Sequence, residues 1–276
     1  MDPAYAFDII RIDVLKSITR FWLGSNRGSN RRSGGRPIRV ILSFGMKQVK
    51  TIAVVLPAYN EAKTVAKVLA NIPHRIGDID VVSIVVDDGS ADQTGNIARR
   101  HGAYVLRHIT NLGVGAATLT GLQAATALNS DIVVTMDSDG QHDPADIQPM
   151  VDCLLNGPFD VVVGSRLLHP AGMPALRFGA NLLLNALTYV VYGKIVSDSQ
   201  SGFKAFSRKA VEAMELNSTG YEICSEIIGE IYRKGLRYKS LPIKPLYTTY
   251  SKSKGQHFLN GVNLVMGLLI RMVRRV

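Results

Sequence analysis

From residue 51 onward, the hydrophobic and polar positions of the chain follow two alternating periods. Short runs of aliphatic and β-branched residues predict strands, and stretches with apolar residues three and four positions apart predict helices. The predicted strands are residues 51–56, 81–86, 103–107, 131–136 and 160–163. The predicted helices are residues 61–70, 94–101 and 114–128. Because strands and helices alternate, we expect an α/β fold with a mostly parallel central sheet and helices on both faces.

The two ends of the chain differ from this middle part. Residues 5–22 have apolar side chains at helical spacing with Arg and Lys between them, which predicts a basic amphipathic helix. A stretch rich in Gly, Ser and Arg follows and is typical of a flexible linker. We expect a basic extension over residues 1–45, an α/β domain over residues 46–250, and a basic amphipathic C-terminal segment over residues 251–276.

The charge of the chain is concentrated at its ends. The 276 residues, 46% of them hydrophobic, suffice for one large domain with a substantial core. Residues 1–50 carry ten Lys/Arg against three Asp/Glu, residues 51–230 carry twelve against nineteen, and residues 231–276 carry ten against none. This distribution is unlike a nucleic-acid groove within a domain and favours contact with anionic lipid. Cys153 and Cys224 belong to no disulfide or zinc pattern, which fits a reduced, cytoplasmic setting.

No secretory signal or membrane-spanning helix is predicted. Acidic and basic residues interrupt the first sixteen positions. The longest apolar stretches, residues 178–193 and 258–270, are shorter than the roughly 20 residues of a membrane span, and each contains two Asn residues. We expect them either to rest at the membrane surface with flanking cations on lipid head groups, or to be ordinary core or dimer helices. The expected location is peripheral, on the cytoplasmic face of the membrane.

Polar side chains collect where the predicted strands end, which is where ligands bind in open α/β sheets. Asp137 and Asp139 follow the fourth strand two residues apart, so their carboxylates lie on one side, with the Gln141 amide oxygen next in line. Hard oxygen ligands of this kind select Mg²⁺ or Mn²⁺. The alternative is an ordinary Asp/Gly turn that closes the strand.

The second predicted strand ends in a further acidic pair. Asp87 or Asp88 would accept hydrogen bonds from a base or a ribose, and Gly89 allows close backbone approach. The alternative is a structural entry to the next helix, capped by Ser90 or Asp92.

Two other features lie near these strand ends. Residues 111–115 form a Gly-rich turn that opens a helix and would favour a phosphate at the helix N-terminus. His142 follows the acidic segment, and we expect it to be a solvated turn residue. No G-x-S-x-G elbow occurs, so a Ser/His/Asp hydrolase is not indicated.

Six sequence blocks, taken in order, resemble glycosyltransferase family 2 with its GT-A fold. Within that family they resemble the branch of dolichyl-phosphate mannose synthases and polyprenyl-phosphate glucosyltransferases. The resemblance extends from about residue 54 to residue 254. Its blocks are residues 57–61, 87–90, 111–113 with Gly115 and Gly121, 137–142, 164–166 and 198–203.

The resemblance implies roles for most of these blocks and for residues near them. The residues expected to hold the nucleotide are Pro57, Tyr59, Glu61, one of Asp87 and Asp88, Gly89 and Ser90. The expected metal ligands are Asp137, Asp139 and Gln141. The residues expected on the phosphate and acceptor side are Arg166, Arg177, Asp198, Lys252 and Lys254. Of all these, Asp139, Arg166 and Lys254 are the expected catalytic residues.

The sequence departs from this branch near its C-terminal end. The synthases show an Arg shortly before a Gly-x-Ser-Lys segment. Here Ser251 replaces that Gly, and Thr248, Thr249 and Tyr250 precede it without an Arg. The sugar and the base of the donor, GDP or UDP, therefore stay open.

The expected reaction moves a hexose or N-acetylhexosamine from a nucleotide diphosphate to a polyprenyl phosphate, with inversion. A phosphate monoester titrates near pH 6, so it attacks without a general base. One alternative is transfer to a sugar hydroxyl, which requires a carboxylate base such as Glu222 or Glu226. The other is a non-catalytic protein that binds nucleotides or nucleic acid.

Overall fold

The computed structural model of the protein describes residues 51–170, 173, 175–193 and 196–246. The expected extension over residues 1–45 and the expected C-terminal segment over residues 251–276 lie outside these residues. The predictions for Lys252, Lys254 and the apolar stretch 258–270 lie outside them as well.

Strands and helices alternate along the described residues. The strands are β1 (Thr51–Ala58), β2 (Arg75–Ile76), β3 (Ile79–Asp87), β4 (Tyr104–Arg107), β5 (Ile132–Thr135), β6 (Val161–Ser165), β7 (Lys204–Ser207) and β8 (Tyr238–Pro242). The α-helices are α1 (Val65–Asn71), α2 (Thr94–Arg100), α3 (Val114–Ala127), α4 (Ile147–Asn156), α5 (Ala175–Tyr192), α6 (Arg208–Ala213) and α7 (Ile223–Arg233). A short 3₁₀ turn, Pro144–Asp146, precedes α4.

The eight strands of the described residues form one sheet, in the order β2–β3–β1–β5–β7–β6–β8, with β4 also paired to β3. β1 is parallel to β3 and β5, and β6 is parallel to β8. β7 is antiparallel to both β5 and β6. Because β5 and β6 are both antiparallel to β7, they run in the same direction. The ends of β1, β3, β5 and β6 and the beginning of β7 therefore lie at one edge.

The core lies on both faces of this sheet. In β1, Ile52, Val54 and Leu56 pack with α1, α2 and α4, whereas Ala53 and Val55 pack with α3. Successive side chains of a strand point to opposite faces, so a strand covered by helices on both sides is apolar throughout. The predicted α/β class and the two helical layers are confirmed.

The structure corrects the predicted sheet in three strands. The local pattern does not predict β2, β7 or β8, and the antiparallel pairings of β2 and β7 make the sheet mixed. β7 was missed because Lys204 gives its short run a polar start, although its side chain is buried. Its alternation is regular: Phe203 and Ala205 lie in the α4 layer, and Phe206 lies with α7.

The first helix begins four residues later than predicted. Glu61 and Ala62 donate their amides to Thr94 Oγ1 over 2.8 Å and to Asp92 Oδ2 over 3.1 Å. The turn that leads into α1 is thereby joined to the first residue of α2 and to the segment before it. This contact between distant segments cannot be seen in the local pattern.

Candidate functional site

The loops that follow β1, β3 and β5 adjoin one another, because these strands are neighbours and parallel. Ser138 Oγ donates to the Pro57 carbonyl over 2.7 Å, which ties the third loop to the first. The Asn60 amide donates to Ser90 Oγ over 3.0 Å, which ties the first loop to the second. Three of the sequence blocks therefore form one surface.

Two expected nucleotide contacts differ in exposure on this surface. Tyr59 is 46% exposed, so its ring is accessible to a ligand. Glu61 is 7% exposed, and its Oε2 accepts a hydrogen bond of 2.8 Å from Thr64 Oγ1. Thr64 thus orients the carboxylate at the beginning of α1.

Asp137, Asp139 and Gln141 lie together in the loop after β5. The Asp137 side chain is 44% exposed. Asp139 Oδ1 accepts the Gln141 amide N–H over 2.9 Å, and Asp139 Oδ2 accepts the Gln141 side-chain amide. In the described residues no group of three His, Cys, Asp or Glu side chains could hold a metal ion. The Gln141 amide oxygen is the next hard oxygen ligand in this loop after the two carboxylates.

The electrostatics of this loop suit a cation. Desolvation raises the pKa of Asp137, against the opposing effects of Arg166 and Lys204. Desolvation and then the charge of Asp137 raise the pKa of Asp139. Arg166 and Lys204 do not fully offset the desolvation of the two adjacent carboxylates, and a divalent ion would supply further positive charge. Together with the amide oxygen, the carboxylates form the hard oxygen set that Mg²⁺ or Mn²⁺ prefers.

Gly202 allows the segment before β7 to approach this acidic loop. A Cβ atom on Gly202 would lie 2.6 Å from Asp137 Oδ1 and 3.1 Å from its Oδ2. Any larger residue at position 202 would therefore displace the Asp137 carboxylate.

His142 differs from its prediction as a solvated turn residue. Its side chain is only 2% exposed. Its Nδ1 accepts the Asp137 amide N–H over 3.2 Å, and its ring lies 5.0 Å from the Phe203 ring. Desolvation lowers the pKa of His142 to about 4, so the ring is neutral at physiological pH. The prediction failed because Phe203, 61 positions further along the chain, covers the turn.

Arg166 and Asp198 form a bidentate ion pair beside the acidic loop. Arg166 Nε and Nη2 donate to Asp198 Oδ2 and Oδ1 over 2.8 and 3.0 Å, and the Arg166 amide donates to Oδ2 over 3.1 Å. Desolvation opposes the charge of Arg166, but Asp198 outweighs it and raises the pKa of the guanidinium. Burial alone would raise the pKa of Asp198, and Arg166 reverses this and lowers it. Asp198 thus holds Arg166, and its own carboxylate is fully buried.

Lys204 is a charged neighbour of this site that the sequence analysis missed. It is 1% exposed, and its Nζ donates to the Ser201 carbonyl. With Asp137 and Cys224 it lines a cavity of about 30 Å³, the space of one water molecule. Lys204 therefore places a fixed positive charge behind the acidic loop. Its only sequence signal is a lysine at the start of an otherwise apolar run.

Asp88 is occupied by contacts within the protein. Its Oδ1 accepts the Leu112 amide N–H and its Oδ2 the Gly113 amide N–H, each over 2.9 Å. His108 Nδ1 lies 2.7 Å from Oδ1, and His108 Nε2 lies 3.0 Å from Thr120 Oγ1. The order Asp–His–Thr looks like a hydrolytic triad, but all three residues are buried. Asp88 therefore anchors the loop before α3.

Asp87 is fully buried too. Its Oδ1 accepts the Ser90 amide N–H over 2.9 Å, and its Oδ2 lies 3.2 Å from Arg107 Nη1. A Cβ atom on Gly95 would lie 2.6 Å from that Oδ2, so α2 closes over the carboxylate. Gly89 has φ +71°, and a Cβ there would lie 2.5 Å from the Thr110 carbonyl carbon. Both conditions favour glycine at position 89.

The N-terminus of α3 differs from the predicted phosphate site. The Gly115 and Ala116 amides both donate to the Thr219 carbonyl, over 2.7 and 3.1 Å. A Cβ on Gly115 would lie 2.4 Å from the Ser218 carbonyl oxygen. The glycines of this turn therefore serve close contact with residues 218–220, and the helix end is capped by the protein.

The two candidate bases differ in their contacts. Glu226 is 6% exposed and accepts the amide N–H of Asn217 and of Ser218, so it holds the loop before α7. Glu222 lies at the start of α7, and its Oε1 accepts the Gly220 amide N–H over 3.2 Å. Of the pair, Glu222 is the one available for chemistry. The Arg177 side chain lies outside the described part of the chain, although its backbone belongs to α5.

A groove of about 390 Å³ begins next to the Arg166–Asp198 pair. Leu167 and Ser197, the chain neighbours of that pair, are part of its wall. The remaining lining residues are Phe178, Leu182, Asn185, Ala186, Tyr189 and Val196. Apart from Asn185 and Ser197, this wall is apolar or aromatic, so the groove suits a hydrocarbon chain.

Comparisons with known proteins agree with this geometry. The model of the family described as glycosyl transferase family 2 matches residues 53–214. An uncharacterized protein of Methanocaldococcus jannaschii is 39% identical over 227 residues, covering 80% of this chain and 92% of the relative. The UDP-N-acetylglucosamine–dolichyl-phosphate N-acetylglucosaminyltransferase of Methanococcus voltae is 35% identical over 250 residues, which cover 82% of this chain and 98% of that relative.

A solved structure has the same fold. It is glucosyl-3-phosphoglycerate synthase from Mycobacterium tuberculosis in complex with Mn²⁺ and UDP-glucose. It matches with a TM-score of 0.63 and 28% identity, covering 82% of this chain and 79% of the neighbour. The GT-A fold expected from the sequence is thereby confirmed.

Replacing Asp137 by Asn should stabilise the metal-free protein at pH 7. Desolvation raises the pKa of Asp137 above its ordinary value of 3.8. The stability from this group is therefore present below pH 3.8 and is lost as the pH rises through the raised value. At pH 7 the charge of Asp137 lowers the free energy of unfolding, and Asn removes that charge. Thermal unfolding in the presence of a chelator should show a higher melting temperature than in the wild type.

Asp160→Asn is the matched control. Burial opposes its charge, but the Arg237 amide and Lys209 outweigh this and lower the pKa of Asp160. The Asp160→Asn substitution should lower the free energy of unfolding by about 1–3 kcal/mol at pH 7, because it weakens charged hydrogen bonds. Equal destabilisation by both variants would contradict the charge balance described for Asp137.

Proposed function

Because the chain belongs to glycosyl transferase family 2, we propose that it transfers a sugar from a UDP-sugar to a polyprenyl phosphate with a divalent cation. The observation that carries this proposal is the order of groups along one sheet edge. The acidic loop of Asp137 and Asp139 adjoins the Arg166–Asp198 pair, and the apolar groove begins beside that pair. A site for a diphosphate, a guanidinium that can bind the acceptor phosphate, and a groove for a lipid chain thus follow one another.

The donor nucleotide lies against the first two loops in this proposal. Pro57 and Tyr59 contact the base, and Glu61, held by Thr64, accepts hydrogen bonds from the ribose. Asp87 and Asp88 shape this pocket through the amides that they bind, since neither carboxylate reaches the surface. This role replaces the direct contact expected from the sequence.

Asp137, Asp139 and Gln141 would hold the cation. When bound, Mg²⁺ or Mn²⁺ neutralises the negative charge that develops on the leaving diphosphate. The Mycobacterium tuberculosis neighbour, crystallised with Mn²⁺ and UDP-glucose, supports this assignment. Lys204 and Arg166 add positive charge behind and beside the leaving group.

UDP-N-acetylglucosamine is the proposed donor. The name of the Methanococcus voltae relative specifies this donor and a dolichyl phosphate acceptor, and the alignment covers 98% of that relative. A mannose donor is less well supported, because the sequence lacks the Arg that precedes the Gly-x-Ser-Lys segment in the mannose synthases.

The acceptor phosphate would bind Arg166, and its prenyl chain would lie in the groove along α5. We also assign Arg177, Lys252 and Lys254 to this phosphate, as the sequence indicates. The phosphate oxygen attacks the anomeric carbon in line with the leaving diphosphate, which inverts the configuration. A largely dianionic phosphate needs no proton removed, which is consistent with Glu226 being occupied by backbone amides.

Helix α5 would also meet the membrane surface. Leu183 and Val190 belong to α5, which also contributes to the groove wall, and are 60% and 59% exposed. No helix in the described residues is long and apolar enough to cross a bilayer. Contact through α5 would bring the lipid acceptor to the groove from one side.

Product formation should depend on the metal, the donor and the lipid together. Purified protein is incubated with Mn²⁺, a polyprenyl phosphate and a panel of UDP- and GDP-sugars, and the lipid product is measured by mass. We expect the product with UDP-N-acetylglucosamine. Asp139→Ala should lower the rate about 10³-fold, because metal stabilisation of the leaving group provides several kcal/mol.

Asp152→Ala, a half-buried residue of α4 with no assigned role in the site, is the control and should keep the wild-type rate. A wild-type rate for Asp139→Ala would contradict the metal assignment. Transfer to free sugars without any lipid product would contradict the acceptor assignment.

Glu222→Gln should leave the rate with polyprenyl phosphate within about twofold of the wild type, because a dianionic acceptor needs no base. The measurement is kcat at saturating donor between pH 6.5 and 8. If the acceptor were a hydroxyl, loss of the base would instead lower kcat about 10²–10⁴-fold. A loss of that size would favour transfer to a hydroxyl with Glu222 as the base.

Leu183→Glu should weaken binding to vesicles of anionic phospholipid. A charged side chain on the membrane-facing part of α5 opposes insertion. Sedimentation with vesicles compares this variant with Leu155→Glu, the same change at an exposed leucine of α4. Equal binding of both variants would show that α5 does not face the membrane.

A further inference from the structure

Asn185, near the middle of α5, clamps the backbone on both sides of Asp198. Its Nδ2 donates to the Ser197 carbonyl over 3.0 Å, and its Oδ1 accepts the Ser199 amide N–H over 2.8 Å. One side chain therefore fixes the peptide units before and after a single residue. The direction of the Asp198 side chain follows from these two bonds.

Asp198 in turn determines the place of Arg166. It receives three hydrogen bonds from Arg166, two from the guanidinium and one from the backbone amide. Asp198 is fully buried and cannot turn to another partner. Any shift of Asp198 is therefore passed on to the guanidinium.

A second contact joins the same helix to the same segment. Thr188, one turn after Asn185, places its Oγ1 3.1 Å from Ser199 Oγ and 3.1 Å from Ser225 Oγ of α7. Gln200 Nε2 donates to both serine hydroxyls, over 2.9 and 2.8 Å. All these hydroxyls are buried, so α5, residues 197–202 and α7 are held as one unit.

We propose that Asn185 is a positioning residue that holds Arg166 through Asp198 and connects the acceptor groove to the reaction centre. Asn185 lines the groove with one part of its surface while its carboxamide bonds to residues 197 and 199. A prenyl chain in the groove therefore touches the residue that fixes the phosphate-binding guanidinium. The inference rests on the function proposed for Arg166.

A merely structural role for Asn185 would have a different signature. Loss of a buried amide contact lowers stability and reduces the amount of folded enzyme. It would not change kcat per folded molecule or couple to Arg166. A positioning role changes kcat, because small displacements of a binding group alter the geometry of the transition state.

The test is a double-mutant cycle between Asn185→Leu and Arg166→Lys. The Lys variant keeps a positive charge opposite Asp198, because a buried carboxylate without a partner would strongly destabilise the folded protein. Asn185→Leu has a similar volume and lacks both hydrogen bonds. We expect about a tenfold loss in kcat with little change in the donor KM.

If Asn185 acts through Arg166, the double variant should be no slower than Arg166→Lys alone. Asn96→Leu, an exposed asparagine of α2, is the matched control and should leave kcat unchanged in either background. Circular dichroism melts give the folded fraction for each protein. Asn185→Asp is the second variant. It keeps the acceptor for the Ser199 amide but turns the contact with the Ser197 carbonyl repulsive, so a loss at least as large as that of Asn185→Leu, again non-additive with Arg166→Lys, is expected.

Multiplicative losses in the double variant, or a wild-type kcat for Asn185→Leu, would overturn this inference and leave the proposed function standing. A wild-type kcat for Arg166→Lys would contradict the role of Arg166 itself, and this inference with it.

Discussion

The candidate site depends on the antiparallel pairing of β7 between β5 and β6. A strand that runs against its neighbours begins where they end, so Asp198 and Gly202 reach the edge formed by the loops after β5 and β6. Gly202 then meets Asp137, and Asp198 meets Arg166. In a wholly parallel sheet, the beginning of this strand would lie at the opposite edge. The reversal of one four-residue strand thus brings the Arg166–Asp198 pair and Gly202 to the acidic loop.

At this edge of the sheet, the positions of the acidic and basic side chains matter as well as their number. Desolvation raises the pKa of both Asp137 and Asp139, whereas Arg166 and Lys204 favour the charged form of Asp137. Arg166 is itself held by Asp198, so it is a fixed cation that needs no rearrangement to meet an anion. Preorganised charges of this kind stabilise developing negative charge without a cost of reorientation.

Several residues in or near the six sequence blocks hold the fold in place. Asp88 and His108 anchor the loop before α3, and the Thr219 carbonyl caps the helix that a phosphate would otherwise favour. Glu226 holds the loop before α7 in the same way. In each case a polar side chain or helix end is satisfied by backbone groups from a distant segment. A motif residue is therefore available for chemistry only where the structure leaves it unoccupied.

The sequence by itself determined the α/β class, the strands β1, β3 to β6, and the edge on which the polar blocks collect. These follow from local periodicity and from the rule that parallel strands end together. Only the tertiary structure decided the direction of β7, the burial of His142 under Phe203, and the Asn185 bonds around Asp198. These features arise from contacts between segments far apart in the chain, whose partners carry no signal at their own positions. Lys204 is the clearest example, because its charge predicts exposure while its neighbours across two strands bury it.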